Sequence, residues 1–97
     1  MPAYIALINF TDQGVKDLAQ VAARVRQMQN QSAPDGVKLL GWYLTMGAYD
    51  AVAIAEAPDD LTMARGLLQV SGEGAIRTTT LTAFPLEEFE QMVSTLR

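Results

Sequence analysis

The stretch that decides the fold is residues 37–57, which read VKLLGWYLTMGAYDAVAIAEA. Its two halves, residues 37–46 and residues 51–57, are rich in the aliphatic, aromatic and β-branched side chains that are typical of strands. The intervening residues 47–50, Gly-Ala-Tyr-Asp, are short enough for a hairpin connection, so we predict two neighbouring antiparallel strands. Gly41, inside the first of these strands, predicts a β-bulge or the close approach of another backbone.

A strand and a helix are predicted before this hairpin. Residues 3–10 (AYIALINF) have the composition of a strand, and the following Thr11 or Asp12 can cap a helix that ends near residues 29–32. The spacing of its apolar residues predicts one buried stripe, consisting of Val15, Leu18, Ala22, Val25 and Met28.

A second helix, a fourth strand and a last helix are predicted after the hairpin. Pro58 ends the third strand, and Asp59 or Asp60 can cap the second helix. Residues 75–84 (AIRTTTLTAF) predict the fourth strand, and Pro85 suits the first turn of a C-terminal helix. The apolar side of that helix carries Leu86, Phe89, Val93 and Leu96.

The order of these elements is β-α-β-β-α-β with an added C-terminal helix. Two β-α-β units joined by a hairpin, with right-handed crossovers, give an α+β fold with a ferredoxin-like antiparallel sheet and both crossover helices on one face. No linker or low-complexity segment interrupts residues 1–97, so we predict a single domain.

The predicted strands are apolar on both faces, whereas a sheet covered on one side alternates between apolar and polar residues. The predicted faces are Tyr4, Ala6, Ile8 and Phe10 against Ile5 and Leu7 in the first strand, Leu39 and Tyr43 against Leu40, Trp42, Leu44 and Met46 in the second, and Ala51, Ala53 and Ala55 against Val52 and Ile54 in the third. Both faces of the sheet should therefore be shielded from water.

Pairing of two copies through their sheets is the simplest way to shield the second face. A sheet of this size covers roughly 380 Å² in projection, at the upper end of the apolar patches found on monomers. Two paired faces remove only roughly 760 Å², below the ~1,200 Å² of a standard stable interface, so the C-terminal helix or strand edges must contribute. We predict a homodimer or a higher even assembly, a dimeric α+β barrel. The alternative is that the C-terminal helix folds back over its own sheet.

Composition excludes several classes of function. The chain has 7 Lys and Arg residues against 11 Asp and Glu residues, a net charge of −4, and its basic residues are scattered, so nucleic acid is not an expected partner. It has no Cys and no His, which removes thiolate and imidazole nucleophiles and metal ligands, and we expect no metal, haem or flavin cofactor. The first apolar run is too short for a membrane span, and we expect a cytoplasmic protein.

Four blocks of sequence resemble the GYD domain family. They are residues 4–14, residues 42–50 with the Gly47-x-Tyr49-Asp50 element, residues 56–60 and residues 76–84. The resemblance covers nearly the whole chain, and the central helices contribute little to it. It implies a dimeric α+β barrel fold and no established activity.

Polar residues from distant parts of the sequence are predicted to meet at one edge of the sheet. The first strand ends where the antiparallel third and fourth strands begin, which gathers Asn9, Thr11, Asp12, Thr45, Tyr49, Asp50 and Arg77. We predict that Tyr49, Asp50 and Arg77 form one polar cluster, in which the Asp50 carboxylate pairs with the Arg77 guanidinium. The cluster either binds a small molecule or has a structural role alone.

Three aromatic residues are further candidates for a ligand site. Trp42, Tyr43 and Tyr4 lie on strands that could line a cavity between two sheets, although large aromatic residues are also the usual material of cores. Two classes of function remain. The first is a binding or assembly module that holds a small molecule at the rim or between protomers, and the second is a cofactor-free monooxygenase- or isomerase-like enzyme in which Asn9, Tyr43 and Trp42 act on an aromatic substrate.

Overall fold

The computed structural model describes residues 2–30 and 35–96 of the chain. In chain order its elements are β1 (Ala3–Phe10), α1 (Asp12–Lys16), α2 (Leu18–Asn30), β2 (Lys38–Leu44), β3 (Ala51–Glu56), α3 (Asp60–Gly72), β4 (Ile76–Ala83) and α4 (Leu86–Thr95). The four predicted strands and the C-terminal helix are confirmed, and their ends differ from the prediction by two residues at most.

The strands form one antiparallel sheet in the order β2-β3-β1-β4. On the helix-covered face, α2 packs against β2 and α3 packs against β4. This arrangement confirms the predicted ferredoxin-like fold. Because β1 is antiparallel to β3 and β4, the end of β1 meets the starts of both strands at one end of the sheet, along the strand direction. We call this end of the sheet the rim.

The first predicted helix consists of two helices, α1 and α2, which are separated at Asp17. The backbone of Asp17 has φ −141° and ψ 63°, outside the helical region. Thr11 caps α1 by accepting the N–H of Gly14, and the Thr11 hydroxyl also donates to the carbonyl of Gly74 at 2.5 Å. The N–H of Thr11 donates to the carbonyl of Ala75 at 3.0 Å. These bonds fasten the start of α1 to the turn that precedes β4.

The predicted burial of one stripe along this helix is wrong. Val15 is 56 % exposed and Leu18 is 49 % exposed, and none of the residues of α2 is buried. The physical reason is the break at Asp17, since residues of two separate helices do not follow one continuous helical period.

The core of the helix-covered face is built largely from alanine. Its buried apolar residues are Tyr4, Ala6, Ile8, Ala51, Ala53, Ala55, Ala57 and Met63. Ala51 and Ala57 have no exposed area at all. In the register of β1 and β3, Ala6 faces Ala53. Short side chains bury little apolar area for each residue, so this core is thin.

A β-bulge in β2 reverses part of the predicted side-chain pattern. The register shifts between Leu39 and Gly41, which leaves Leu40 as the extra residue. Leu39 and Trp42 therefore share the helix-covered face, where both pack against the buried residues of β1 and β3. Tyr43 lies on the opposite face. The expected bulge beside Gly41 is confirmed, but the prediction that Leu39 and Tyr43 share a face is wrong because alternation is interrupted at a bulge.

Tyr4 connects β1 to the beginning of α3. Its hydroxyl donates to Asp60 Oδ1 at 2.5 Å. The pKa of Tyr4 is raised from 10.0 to about 12 by this hydrogen bond first, and then by the burial of the ring and the charges of Asp60 and Asp59. Asp59 caps α3, as predicted, because its carboxylate accepts the N–H of Thr62 at 2.8 Å. The hydrogen bonds from Thr62 lower the pKa of Asp59.

We predict that stability falls with rising pH between 10 and about 12 because of Tyr4. The folded chain holds the phenol proton more tightly than the unfolded chain, so this contribution is complete below the unfolded pKa and is lost as the pH rises through the folded pKa. Urea midpoints measured across this range should fall more steeply for the natural protein than for Tyr4→Phe. Equal slopes would contradict the assignment.

We predict that Gly14→Ala destabilises the fold by about 3 kcal/mol, because the added methyl group would overlap the backbone carbonyl of Ala75, which has no freedom to move aside. Gly72→Ala is the matched control. A methyl group at Gly72, in the last position of α3, meets open space, so stability should be unchanged or higher by about 0.5 kcal/mol. Urea unfolding of both variants at one protein concentration measures the difference.

Candidate functional site

The turn between β2 and β3 is closed by hydrogen bonds of Thr45. Its N–H donates to the carbonyl of Asp50 at 2.9 Å, and its hydroxyl donates to the carbonyl of Tyr49 at 2.7 Å. Gly47 has φ 122°, a conformation that side chains disfavour, so glycine is required in this turn. The turn is therefore held by backbone groups of Tyr49 and Asp50.

Asp50 fastens this hairpin to the end of β1. Its N–H donates to the carbonyl of Ile8 at 2.8 Å, which extends the ladder between β3 and β1. Its carboxylate Oδ2 accepts the N–H of Phe10 at 2.9 Å. A hydrogen bond to a charged acceptor is stronger than one between neutral groups. Asp50 thus satisfies a backbone donor at the last residue of the strand.

The predicted ion pair between Asp50 and Arg77 is absent. The register places Arg77 opposite Asn9, and Asn9 lies between the Ile8 carbonyl and the Phe10 N–H that Asp50 contacts, so all three predicted residues do lie at the rim. However, Arg77 is exposed, and among the described residues no carboxylate lies within ion-pair distance of its guanidinium. The sequence prediction missed the real partner of Asp50, because a backbone N–H leaves no mark in the sequence.

Two of the other rim residues, Thr11 and Thr45, form side-chain hydrogen bonds within the chain. Thr11 caps α1 and Thr45 closes the hairpin, so the proton of each hydroxyl is engaged in an internal bond. Asp12 is exposed in the first turn of α1. Within residues 2–30 and 35–96, the side chains of Asn9, Asp12 and Arg77 form no hydrogen bond or ion pair and are polar groups that an outside molecule could contact.

The three aromatic candidates do not line one surface. Tyr4 is 3 % exposed in the core, and Trp42 packs against a buried cluster on the helix-covered face. Tyr43, 58 % exposed, lies on the opposite face. The predicted aromatic wall in which Trp42 and Tyr43 act together is therefore not formed, because neighbouring residues of a strand point to opposite sides.

The face of the sheet opposite α2 and α3, which we call the open face, is apolar at its centre. The register brings together Ile5, Leu7, Tyr43, Val52, Ile54 and Leu81. None of these residues is buried, and Leu81 is 49 % exposed. An apolar surface of this kind on a small chain is typical of an interaction site.

The C-terminal helix α4 is a second exposed apolar surface. It has no buried residue, and among the described residues it makes no extensive contact with another helix or strand. Its apolar side chains and those that flank it are all exposed, and they are Phe84, Leu86, Phe89, Met92, Val93 and Leu96. The alternative in which α4 covers its own sheet is therefore wrong for this structure.

The size of the chain's surface agrees with these two exposed regions. The accessible surface is 6945 Å² for 10.5 kDa, whereas a compact monomer of this mass exposes about 5,400 Å². The radius of gyration is 14.7 Å, against about 12.5 Å for a compact domain of this length. The chain therefore leaves about 1,500 Å² more surface in water than a compact monomer does.

The described part of the chain contains neither a cluster of acidic metal ligands nor a membrane-spanning helix. Residues 2–30 and 35–96 contain no group of three or more acidic residues that could hold a metal ion. In the same ranges, no helix has both the length and the apolar character that are needed to cross a bilayer.

Comparisons with known proteins agree with the fold and add a functional lead. The family model described as GYD domain matches residues 4–93. The chain is 34 % identical over 89 residues to the "Glutamine synthetase and cystathionine beta-lyase binding protein" of Thermus thermophilus, covering 91 % of this chain and 94 % of that protein. It is also similar to a crystal structure of a Thermus thermophilus protein, with a TM-score of 0.58 and 28 % identity, over 88 % of this chain and 95 % of that chain.

We predict that Asp50→Ala lowers the free energy of unfolding by about 1 to 3 kcal/mol, because it leaves the N–H of Phe10 without its acceptor. Arg77→Ala is the control. It should change stability by less than about 0.5 kcal/mol, because the exposed guanidinium forms no pair with Asp50. Urea unfolding measures both values. Equal losses in the two variants would restore the ion pair as the explanation.

Proposed function

The chain belongs to the GYD domain family, and from that membership we propose that it is a protein-binding module that works as a homodimer. The observation that supports this proposal is the apolar open face, which the chain's own helices leave uncovered. Tyr43, Ile54 and Leu81 are exposed there by 58 %, 36 % and 49 %. Burial of such side chains contributes about 25 cal/mol for each Å² removed from water.

Two open faces placed against each other would form a closed, mostly apolar layer, the dimeric α+β barrel. Stacked sheets pack about 10 Å apart, which leaves room for one layer of interdigitated side chains from each sheet. The rim would remain at the end of that layer, with Asn9 and Arg77 facing solvent or a bound molecule. A small molecule held at the rim or between protomers stays a prediction.

An enzyme is the partner that we propose for the dimer. The similar Thermus thermophilus protein is named for its binding to glutamine synthetase and cystathionine beta-lyase. The match spans nearly the full length of both chains at 34 % identity. We therefore propose these two enzymes, from the organism that makes this chain, as its candidate partners.

The dimer is tested by substitution on the open face. Ile54→Asp should raise the dissociation constant of the dimer at least about tenfold, which corresponds to about 1.4 kcal/mol, because a carboxylate would be buried against an apolar partner. Leu68→Asp is the matched control, since Leu68 is 75 % exposed on α3, on the other side of the sheet. Sedimentation equilibrium measures both constants. A natural chain that sediments as a 10.5 kDa species would refute the dimer.

The partner is tested by mixing the dimer with each purified enzyme. Sedimentation velocity should show the chain moving with glutamine synthetase or with cystathionine beta-lyase, and an unrelated enzyme of similar size should leave it unchanged. A chain that sediments separately from both enzymes would refute the choice of partner while leaving the dimer in place.

A further inference from the structure

Exposed apolar side chains remain on several elements after the open face has been assigned to a dimer, and those at the two edges of the sheet form two surfaces. One is α4, where Leu86, Phe89 and Val93 are 66 %, 58 % and 48 % exposed. The other is the edge strand β2 with the turn that follows it. Leu40 is 54 % exposed there, and Met46 is fully exposed. These surfaces lie far apart on one chain, because α4 follows β4 and β4 is the opposite edge of the sheet from β2.

A face-to-face dimer brings the two surfaces together. When two such sheets pair around a two-fold axis that runs along the strands, the β4 edge of one sheet lies over the β2 edge of the other. Only Phe84 and Pro85 separate β4 from α4. The last residue of β4 lies at the same end of the sheet as the first residue of β2, so α4 begins beside the start of the partner's β2, away from the rim. In a two-fold interface every contact occurs twice, so both helices and both edges would be covered together.

The area that is available supports this arrangement. The chain exposes about 1,500 Å² more than a compact monomer of its mass, and the open face accounts for only roughly 380 Å² in projection. A sheet pair alone is therefore too small for a stable dimer, whose interface buries about 1,200 to 2,000 Å² in total. A ten-residue helix is about 15 Å long and about 10 Å wide, so each helix–edge contact removes about 150 Å² from the helix and about 150 Å² from the edge that it covers. Two such contacts add about 600 Å² to the roughly 760 Å² of the paired sheets, which brings the total into that range.

The charges of the two elements are complementary. The sequence of α4, LEEFEQMVST, carries Glu87, Glu88 and Glu90 and no basic residue. The sequence of β2, KLLGWYL, carries one charge, that of Lys38. Two acidic helices placed side by side repel each other, so these charges favour the pairing of α4 with β2 over the pairing of α4 with α4.

From the placement of α4 beside the opposite sheet edge, we propose that α4 is an exchanged arm, which packs its Leu86, Phe89 and Val93 side chains against Leu40 of the partner subunit. This inference rests on the dimer of the proposed function. It adds that the dimer is held by its two arms as well as by its sheets, and that a second copy of this chain, rather than an enzyme, occupies the apolar side of α4.

Cysteine cross-linking tests the contact, because the natural chain has no Cys. One batch of full-length chain carries Phe89→Cys and a second batch carries Leu40→Cys. The two are mixed, unfolded and refolded together, and treated with a mild oxidant. We expect a disulfide-linked product that contains one chain of each kind, identified by its intact mass. The control mixture replaces Phe89→Cys by Glu87→Cys, on the acidic side of α4, and should give little of this product.

A second measurement covers the energetics. Phe89→Asp should raise the dissociation constant of the dimer at least about tenfold, whereas Glu87→Ala should leave it unchanged. Both positions are exposed in the single chain, so circular dichroism should show folded protein in each case. If the natural chain sediments as a dimer but the mixture of Phe89→Cys and Leu40→Cys gives no mixed cross-link, or Phe89→Asp keeps the natural dissociation constant, the arm is overturned and the proposed function stands. Monomeric natural chain would overturn both.

Discussion

Short side chains at the centre of the sheet constrain the rest of the molecule. Ala51, Ala53 and Ala55 of β3 and Ala6 of β1 occupy the middle of the helix-covered face, where larger residues would form a thick core. The helices cover this face while burying little apolar area. Many of the large apolar side chains are found on the open face, on β2 and on α4 instead. Since removing apolar surface from water is favourable, these exposed side chains would contribute on association the free energy that the thin core does not supply.

The motif of Gly47, Tyr49 and Asp50 has a physical explanation that needs no ligand. Gly47 allows the turn, the carbonyls of Tyr49 and Asp50 close it on Thr45, and the Asp50 carboxylate holds the N–H of Phe10. The last of these bonds joins the hairpin to β1, which links residues forty positions apart in sequence. A motif that fixes strand ends in this way maintains the open face on both neighbouring strands, so it would serve the proposed binding indirectly, through the geometry of the sheet.

The fold was more predictable from sequence than the contacts of the site. The strands and their order followed from local composition and from the short connection at residues 47–50, because hairpins and right-handed crossovers leave few topologies. The predicted sheet face of Leu39 was wrong, since the extra residue at Leu40 interrupts the alternation of side chains between the two faces of β2. The pairing of Asp50 with Arg77 failed for a different reason. Opposite charges at one edge attract over a distance, but the fixed backbone N–H of Phe10 was nearer and had to be satisfied.

Polar groups at the rim and apolar groups on the open face differ in how far the fold already uses them. At the rim, the polar side chains of Thr11, Thr45 and Asp50 are engaged in bonds that hold the fold, whereas Asn9 and Arg77 are left for an outside molecule. On the open face and α4, by contrast, the described residues leave the large apolar side chains exposed, so the proposed binding would cost no internal contact. Apolar contact has little directional preference, and the specificity of such binding comes from shape and charge. The two edges of the sheet differ in shape and in charge. The β2 edge has the bulge at Leu40 and a single charge, whereas the β4 edge continues into α4 with its acidic side.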